Sequence, residues 1–191
     1  MASQRTTGLT YDDLLEMFPE DDGVRRELIG GELIVAPSPS TRHQRVVVKL
    51  VVLLHAYADE HGGEVLTAPY DVKFTEVDVV EPDVLFVTQD HLDRFKERFI
   101  DSAPDVVVEV SSPSTRHLEL VRKRDLYERE GVPEYWYVDL DAERVEVHRL
   151  AQGGYGSPEI LIAGAVLESP LLPGLRLPVD EVLAPPAPPS D

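Results

Sequence analysis

The sequence predicts an α/β fold: a mixed central β-sheet flanked by helices, with an N-terminal helix and a β-hairpin extension. Three observations lead there. Long stretches of helical periodicity alternate with short runs rich in valine, DVVVEVS has the near-continuous apolar character of a strand covered on both faces, and Gly-Gly punctuates an early pair of strand-like runs.

Taken in order, Thr10 to Met17 reads as a short helix capped by Thr10, with Asp12 and Asp13 in its first turn. EDDG (Glu20 to Gly23) reads as a turn. RELIGGELIVAP reads as two strands folded around Gly30 and Gly31. A longer helix starts at Ser40 or Thr41, where Thr41 and Gln44 have capping-box spacing, and runs to His61 before Gly62 and Gly63 stop it. Its stretch from Val46 to Ala58 is too short to span a bilayer and reads as buried. EVLTAPYDVKF and VEPDVLFV read as two strands and DHLDRFKERF as a surface helix. DVVVEVS then forms the central strand, and Ser114 or Thr115 caps a helix ending at Gly131. EYWYVDL and ERVEVHRL are two strands separated by Asp141 and Ala142. Residues 1–183 are expected to form one domain, followed by a disordered proline-rich tail over 184–191. SPSTRH occurs twice, from Ser38 and from Ser112, each time joining an extended segment to a helix start.

The chain has 191 residues and no cysteine, which excludes disulfides and thiolate-bound zinc. The N-terminus carries no apolar signal-peptide core, and a cytoplasmic protein without membrane attachment is expected. A net charge of −18, from 18 basic and 36 acidic residues, runs against the basic footprint of nucleic-acid binders. It reads either as a solubilising surface or as an acidic envelope around a local basic stripe. P-loop, HExxH and GxSxG patterns are absent.

Strand alternation puts Glu109 on a face with Asp105, Val107 and Ser111, opposite Val106, Val108 and Val110. A carboxylate inside a valine run is costly to bury without a cation beside it. For Glu109 alone a buried salt bridge is the simpler reading. For Asp83, after Pro82, it is a strand-entry turn, and for Lys123 a surface pair with Glu119. Together the three change meaning. Two carboxylates on neighbouring strands and a lysine on the following helix supply what metal-assisted phosphodiester hydrolysis requires. Mg²⁺ accepts one or two carboxylates while keeping several waters, and a lysine can orient water or stabilise charge on the phosphate.

The stretches RELIGGELIVAPSPSTRHQ, VEPDVLFV, VVVEVSSPST, KRDLYEREGVPEYWYVD and SPLLPGLRLP occur in that order from Arg26 to Pro178. In these the chain resembles the Uma-type restriction endonuclease family of the PD-(D/E)xK nuclease superfamily. The resemblance implies a restriction-endonuclease-like core and metal-dependent DNA endonuclease activity, with Mg²⁺ as cofactor and Mn²⁺ as the other candidate. It makes Asp83, Glu109 and Lys123 the catalytic set, with Asp83 and Glu109 as metal ligands assisted by the Val110 carbonyl. Ser111 occupies the superfamily's lysine position, and the lysine is moved to Lys123. Glu27, Glu32, His43, Ser111 and Glu119 are expected to support the ligands or order water, with a solvent-facing residue at the helix start as the equal alternative for His43. Glu119 replaces a usual Asp, and Arg26 a frequent Tyr. DNA is the expected partner, and a homodimer is expected to cut both strands. Arg42, Arg45, Arg116, Arg122 and Arg124 are candidate phosphate contacts, Arg42 and Arg116 at helix starts. The competing readings are a catalytically weak or inactive nuclease-fold module that binds nucleic acid or protein, and a self-associating protein built around the apolar strands and Trp136.

Overall fold

The computed structural model describes residues 8–19, 22–111 and 118–185. The fold is mixed α/β, with two mixed sheets and flanking helices. A short helix α1 (Tyr11–Met17) is closed by a reciprocal cap between Thr10 and Asp13. Strands β1 (Arg26–Ile29) and β2 (Glu32–Val35) form the expected hairpin. Gly30 and Gly31, at φ +62° and +75°, supply the left-handed pair that a two-residue turn requires.

Helix α2 (Thr41–His61) begins one residue away from the proposed Thr41–Gln44 box: Ser40 is the cap and accepts from the His43 amide. Nor is its valine-rich stretch buried all round. Val46, Leu50 and Leu54 face the core, whereas Val48 and Val52 are 58% and 61% exposed. One stripe of a helix faces inward, whatever the local composition.

Both expected strands that follow are divided by proline. EVLTAPYDVKF becomes β3 (Glu64–Thr67) and β4 (Asp71–Lys73), in different sheets. VEPDVLFV becomes β5 (Val79–Val80) and β6 (Val84–Val87), again in different sheets. Proline offers no N–H to continue a ladder, so the chain changes sheet at Pro69 and at Pro82. The proposed surface helix is one 3-10 segment (Gln89–Arg94), followed by β7 (Phe99–Ile100), which pairs in parallel with β4.

Strand β8 (Val106–Val110) is central, antiparallel to β6 and parallel to β9 (Glu134–Asp139). Its crossover to β9 includes a π-helical turn (Leu118–Lys123) leading into α3 (Arg124–Arg129). The proposed cap at Ser114 or Thr115 lies outside the described residues, as do Glu20, Asp21 and the tail from 186 onward. Strand β10 (Arg144–Ala151) pairs antiparallel with β9. Beyond it come β11 (Gly154–Tyr155), β12 (Glu159–Leu161), the hairpin of β13 (Val166–Ser169) and β14 (Leu172–Pro178), and helix α4 (Val179–Leu183). The sequence reading assigned no elements there.

The larger sheet runs β11-β10-β9-β8-β6-β3, with β12 also on β10, and the smaller runs β2-β1-β5-β4-β7. Alternation divides the core. Val84, Phe86, Val106, Val108, Trp136 and Val138 pack with α2, α4 and the C-terminal hairpin. Leu85, Val87, Val107, Tyr135 and Tyr137 pack with α3 and the smaller sheet. Trp136 is fully buried within its own core, so it offers no surface for self-association. Among the described residues no helix is long and apolar enough to cross a membrane.

Candidate active site

The sheet change at Pro82 puts Asp83 at the mouth of β6, on the seam between the two sheets. The β6–β8 register pairs Val84 with Val108, and one further residue brings Asp83 opposite Glu109. Both side chains fall on the face covered by α3. From there Lys123 Nζ donates to Glu109 Oε1 at 2.8 Å and to Glu27 Oε1, on β1, at 2.7 Å. Tyr127, one turn on, donates its hydroxyl to the same Glu109 oxygen at 2.6 Å.

Asp83 is held from three sides. Oδ1 accepts from Arg25 Nη1 at 2.8 Å, and Oδ2 accepts from the Val110 amide at 2.8 Å and lies 3.0 Å from His43 Nε2. Arg25 Nη2 also donates to the Glu81 carbonyl and lies 3.7 Å from Glu27 Oε1. The Glu81 amide donates to Glu27 Oε1 at 2.8 Å. Asp83, Glu109, Glu27 and Lys123 are all nearly excluded from solvent.

Burial works against every charge here, and neighbours decide which survive. Desolvation raises Asp83, but the hydrogen bond from His43, the Arg25 guanidinium and the Val110 amide outweigh it and hold the carboxyl below the usual range. Glu109 goes the other way. Burial pushes it up, the Lys123 ammonium resists, and the charges of Asp83 and Glu27 add to the burial. Burial also pushes Glu81 up to about 7, helped by Asp71 and opposed by Arg25. Desolvation disfavours the Lys123 ammonium, but Glu109 and Glu27 more than offset it and raise its pKa. The result is an acid kept ionised facing an acid biased toward its neutral form, with a fixed ammonium between Glu27 and Glu109.

Asp83, Glu109, Lys123, Glu27 and His43 therefore meet. Other candidates do not. Glu32 is exposed and pairs with Arg122 at 2.9 Å, without touching the cluster. Ser111 Oγ accepts from the Leu140 amide at 2.9 Å and ties the end of β8 to the chain after β9. Val110 meets Asp83 through its amide. Arg116 and the Glu119 side chain lie outside the described residues. The proposed basic face is largely neutralised. Arg42 pairs with Glu143 at 2.8 Å, and Arg124 is bound to Asp125 and Glu128 and to the Tyr155 carbonyl. Arg45 is exposed.

Sequence reasoning missed Arg25, Glu81 and Tyr127. Strand spacing carried a signal for two of them, since Arg25 stands two residues before Glu27 and Glu81 two before Asp83, a spacing that shares a strand face. Tyr127 follows Lys123 by four residues, a spacing that shares a helix face.

A cleft of about 30 Å³ opens onto the cluster between Pro37, Pro39, His43 and Lys123, and a groove of about 780 Å³ meets it at Arg25, His43 and Asp83. Among the described residues no group of three or more His, Asp or Glu could hold a metal ion. Asp83 and Glu109 nevertheless offer hard carboxylate oxygens, and Mg²⁺ needs only one or two when water and substrate oxygens complete its shell. The excess of carboxylates over fixed cations suits a divalent ion.

Known proteins place this geometry in context. The chain resembles the structure titled a "putative nuclease belonging to DUF820 from Anabaena variabilis ATCC 29413". The TM-score is 0.76 and the identity 20%, over 92% of this chain and 97% of that one, a likeness of fold. No curated protein matches. A family profile described as "Uma2: Putative restriction endonuclease" matches residues 11–180, nearly the whole length, and the chain belongs to that family.

Proposed function

We propose that this protein is a metal-dependent DNA endonuclease that hydrolyses phosphodiester bonds with Mg²⁺ or Mn²⁺. The observation that carries the reading is Lys123: a buried ammonium held 2.8 Å from Glu109, on the face where Asp83 meets that carboxylate. Asp83 and Glu109 would hold the ion. When bound, it would supply Lewis acidity, neutralising phosphate charge and making a nearby water more acidic.

The chain's own residues do the rest. Glu27 and Glu109 keep Lys123 charged and aimed, so its ammonium can stabilise charge that builds on the phosphate. Tyr127 fixes the Glu109 rotamer through its hydroxyl. His43 has Nε2 on Asp83 and a buried Nδ1 without a hydrogen-bond partner among the described residues, so its part is to hold the Asp83 carboxylate in place. Arg25 occupies Asp83 and must yield when a cation enters.

Arg25 on Asp83, with a net charge of −18, favours a second reading: a nuclease fold kept as an inactive binding module. Incubating the protein with supercoiled plasmid and Mg²⁺ or Mn²⁺ separates the two. Cleavage that needs metal and is lost in folded Asp83→Asn and Lys123→Ala supports the nuclease. Absence of cleavage, together with no metal-induced rise in Tm, supports the binding module.

A further inference from the structure

The groove that meets the cluster reaches Asp83 and is lined by apolar and aromatic as well as charged residues. Leu14 and Phe18 of the α1 region line one side, and Pro69 and Tyr70 of the β3–β4 turn another. At about 780 Å³ it falls among pockets that enclose ligands the size of a nucleotide, roughly 300–1,000 Å³. Tyr70 is half-buried and braced edge-on against Phe95, with ring centroids 6.1 Å apart.

The groove's acids are largely answered from within. Asp71 accepts from the Tyr11 hydroxyl at 2.7 Å, and Asp22 takes two hydrogen bonds from Arg26, whose guanidinium lies 3.9 Å above the Phe18 ring. Arg98, also in the wall, is exposed and makes no hydrogen bond to another described residue, though its charge is felt by Asp71. Aromatic and apolar walls with an available arginine suit an unstacked base and the phosphate attached to it.

The site is poorly shaped for a duplex. DNA double helix is stiff over about 150 base pairs and presents phosphates along a wide rod. Here the functional carboxylates are almost wholly buried, and Arg42, Arg122 and Arg124 are each paired with acids, leaving no long basic track among them. A flexible single strand can thread where a rod cannot.

We propose that the groove binds a nucleotide flanking the scissile phosphate with its base unstacked against the Tyr70 region, making single-stranded DNA the preferred substrate. The proposal rests on the nuclease reading and narrows it.

Fluorescence anisotropy with a fluorescein-labelled oligothymidylate, alone and annealed to its complement, tests this in Ca²⁺ at fixed salt. The single strand should bind about tenfold more tightly than the duplex. Tyr70→Ala should weaken single-strand binding by about tenfold, in line with the loss of one base–aromatic stack. Tyr70→Phe should retain it, and Arg98→Gln should make its salt dependence shallower. Equal affinity for both DNAs overturns the proposal, as does wild-type binding by folded Tyr70→Ala. Plasmid cleavage alongside equal affinities keeps the nuclease reading and sinks this one. Selective single-strand binding that responds to Tyr70, without cleavage of either DNA, keeps the groove and sinks the nuclease reading.

Discussion

Glu109 and Glu134 are buried to the same degree, each 1% exposed, yet they occupy opposite kinds of environment. Glu134 is a single carboxylate surrounded by donors: Trp136 Nε1 at 2.7 Å, Ser169 Oγ at 3.0 Å and Arg149 Nε at 3.1 Å. It clamps β9 to β10 and to the C-terminal hairpin. Glu109 has Lys123 and Tyr127 as donors, but it also feels Asp83 and Glu27. In one region the donors converge on a single carboxylate; in the other, carboxyl groups outnumber fixed cations in a dry pocket and burial pushes Glu109 toward its neutral form. Crowded carboxyl groups stabilise nothing by themselves, and the proposed metal would relieve that crowding.

Paired substitutions put this contrast at risk. Glu134→Leu leaves the Trp136 N–H, the Ser169 hydroxyl and the Arg149 Nε–H without their acceptor, although Arg149 keeps Glu159 and the Glu168 carbonyl, and should cost about 3 kcal/mol in urea denaturation. Glu109→Gln keeps the shape and removes one of the crowded charges. Stability should stay within about 1 kcal/mol of wild type, while metal-dependent cleavage falls at least ~100-fold. If both variants lose stability equally, Glu109 is as structural as Glu134 and the contrast fails.

Arg25→Gln tests whether the crowding calls for a cation. It takes away the guanidinium on Asp83, and without metal it should destabilise the protein by about 2 kcal/mol. Mn²⁺ should then raise the Tm of the variant more than that of wild type. An equal rise in both would show that Arg25 and the ion do not compete.

The pH dependence follows from the same crowding. Burial, with Asp71 and Glu27 adding and Arg25 opposing, raises Glu81 to about 7 in the folded protein, against an unfolded value near 4.5. Between these values the native state holds the proton and the unfolded state does not, so stability falls as pH rises through that window. Glu109, raised like Glu81, adds to this trend, and His148, lowered by burial, opposes it. The Glu81 share is therefore read as a difference: metal-free wild type should lose roughly 2 kcal/mol more stability between about pH 5 and about pH 8 than Glu81→Gln does. Identical profiles in the two proteins would show that Glu81 has no part in it. Asp83 does not interfere, because its depressed pKa confines its contribution to more acidic solutions.

Much of the acid cluster was legible because alternation is local. The period of two along β8 separates Glu109 from Val108 and Val110, and helical spacing sets Lys123 and Tyr127 on one face. The turn at Gly30 and Gly31 and the limits of α2 were legible for the same reason. What stayed hidden depends on distant chain. Arg25 reaches Asp83 across 58 residues and Arg42 finds Glu143 across 101, and no window of sequence contains either pair. The breaks at Pro69 and Pro82 could be suspected from proline chemistry, but that each divides a run between two sheets depends on tertiary pairing. The short strands after β10 lacked a strong period, and their pairing with β10 and with each other supplies the missing specification.

The smallest expected effect concerns the arginines on the rim. Arg42–Glu143 and Arg122–Glu32 are exposed pairs, and such pairs contribute at most about 0.5–1 kcal/mol in water. Arg42→Ala and Arg122→Ala should therefore leave Tm almost unchanged. DNA binding is the sharper readout, because an arginine can exchange a surface carboxylate for a phosphate at little cost. If each contacts one phosphate of a single strand, each substitution should lower the slope of log affinity against log salt by about 0.7. An unchanged slope in both would leave these residues as rim pairs with no part in binding and concentrate recognition in the groove beside Asp83, where the crowded carboxyl groups also lie.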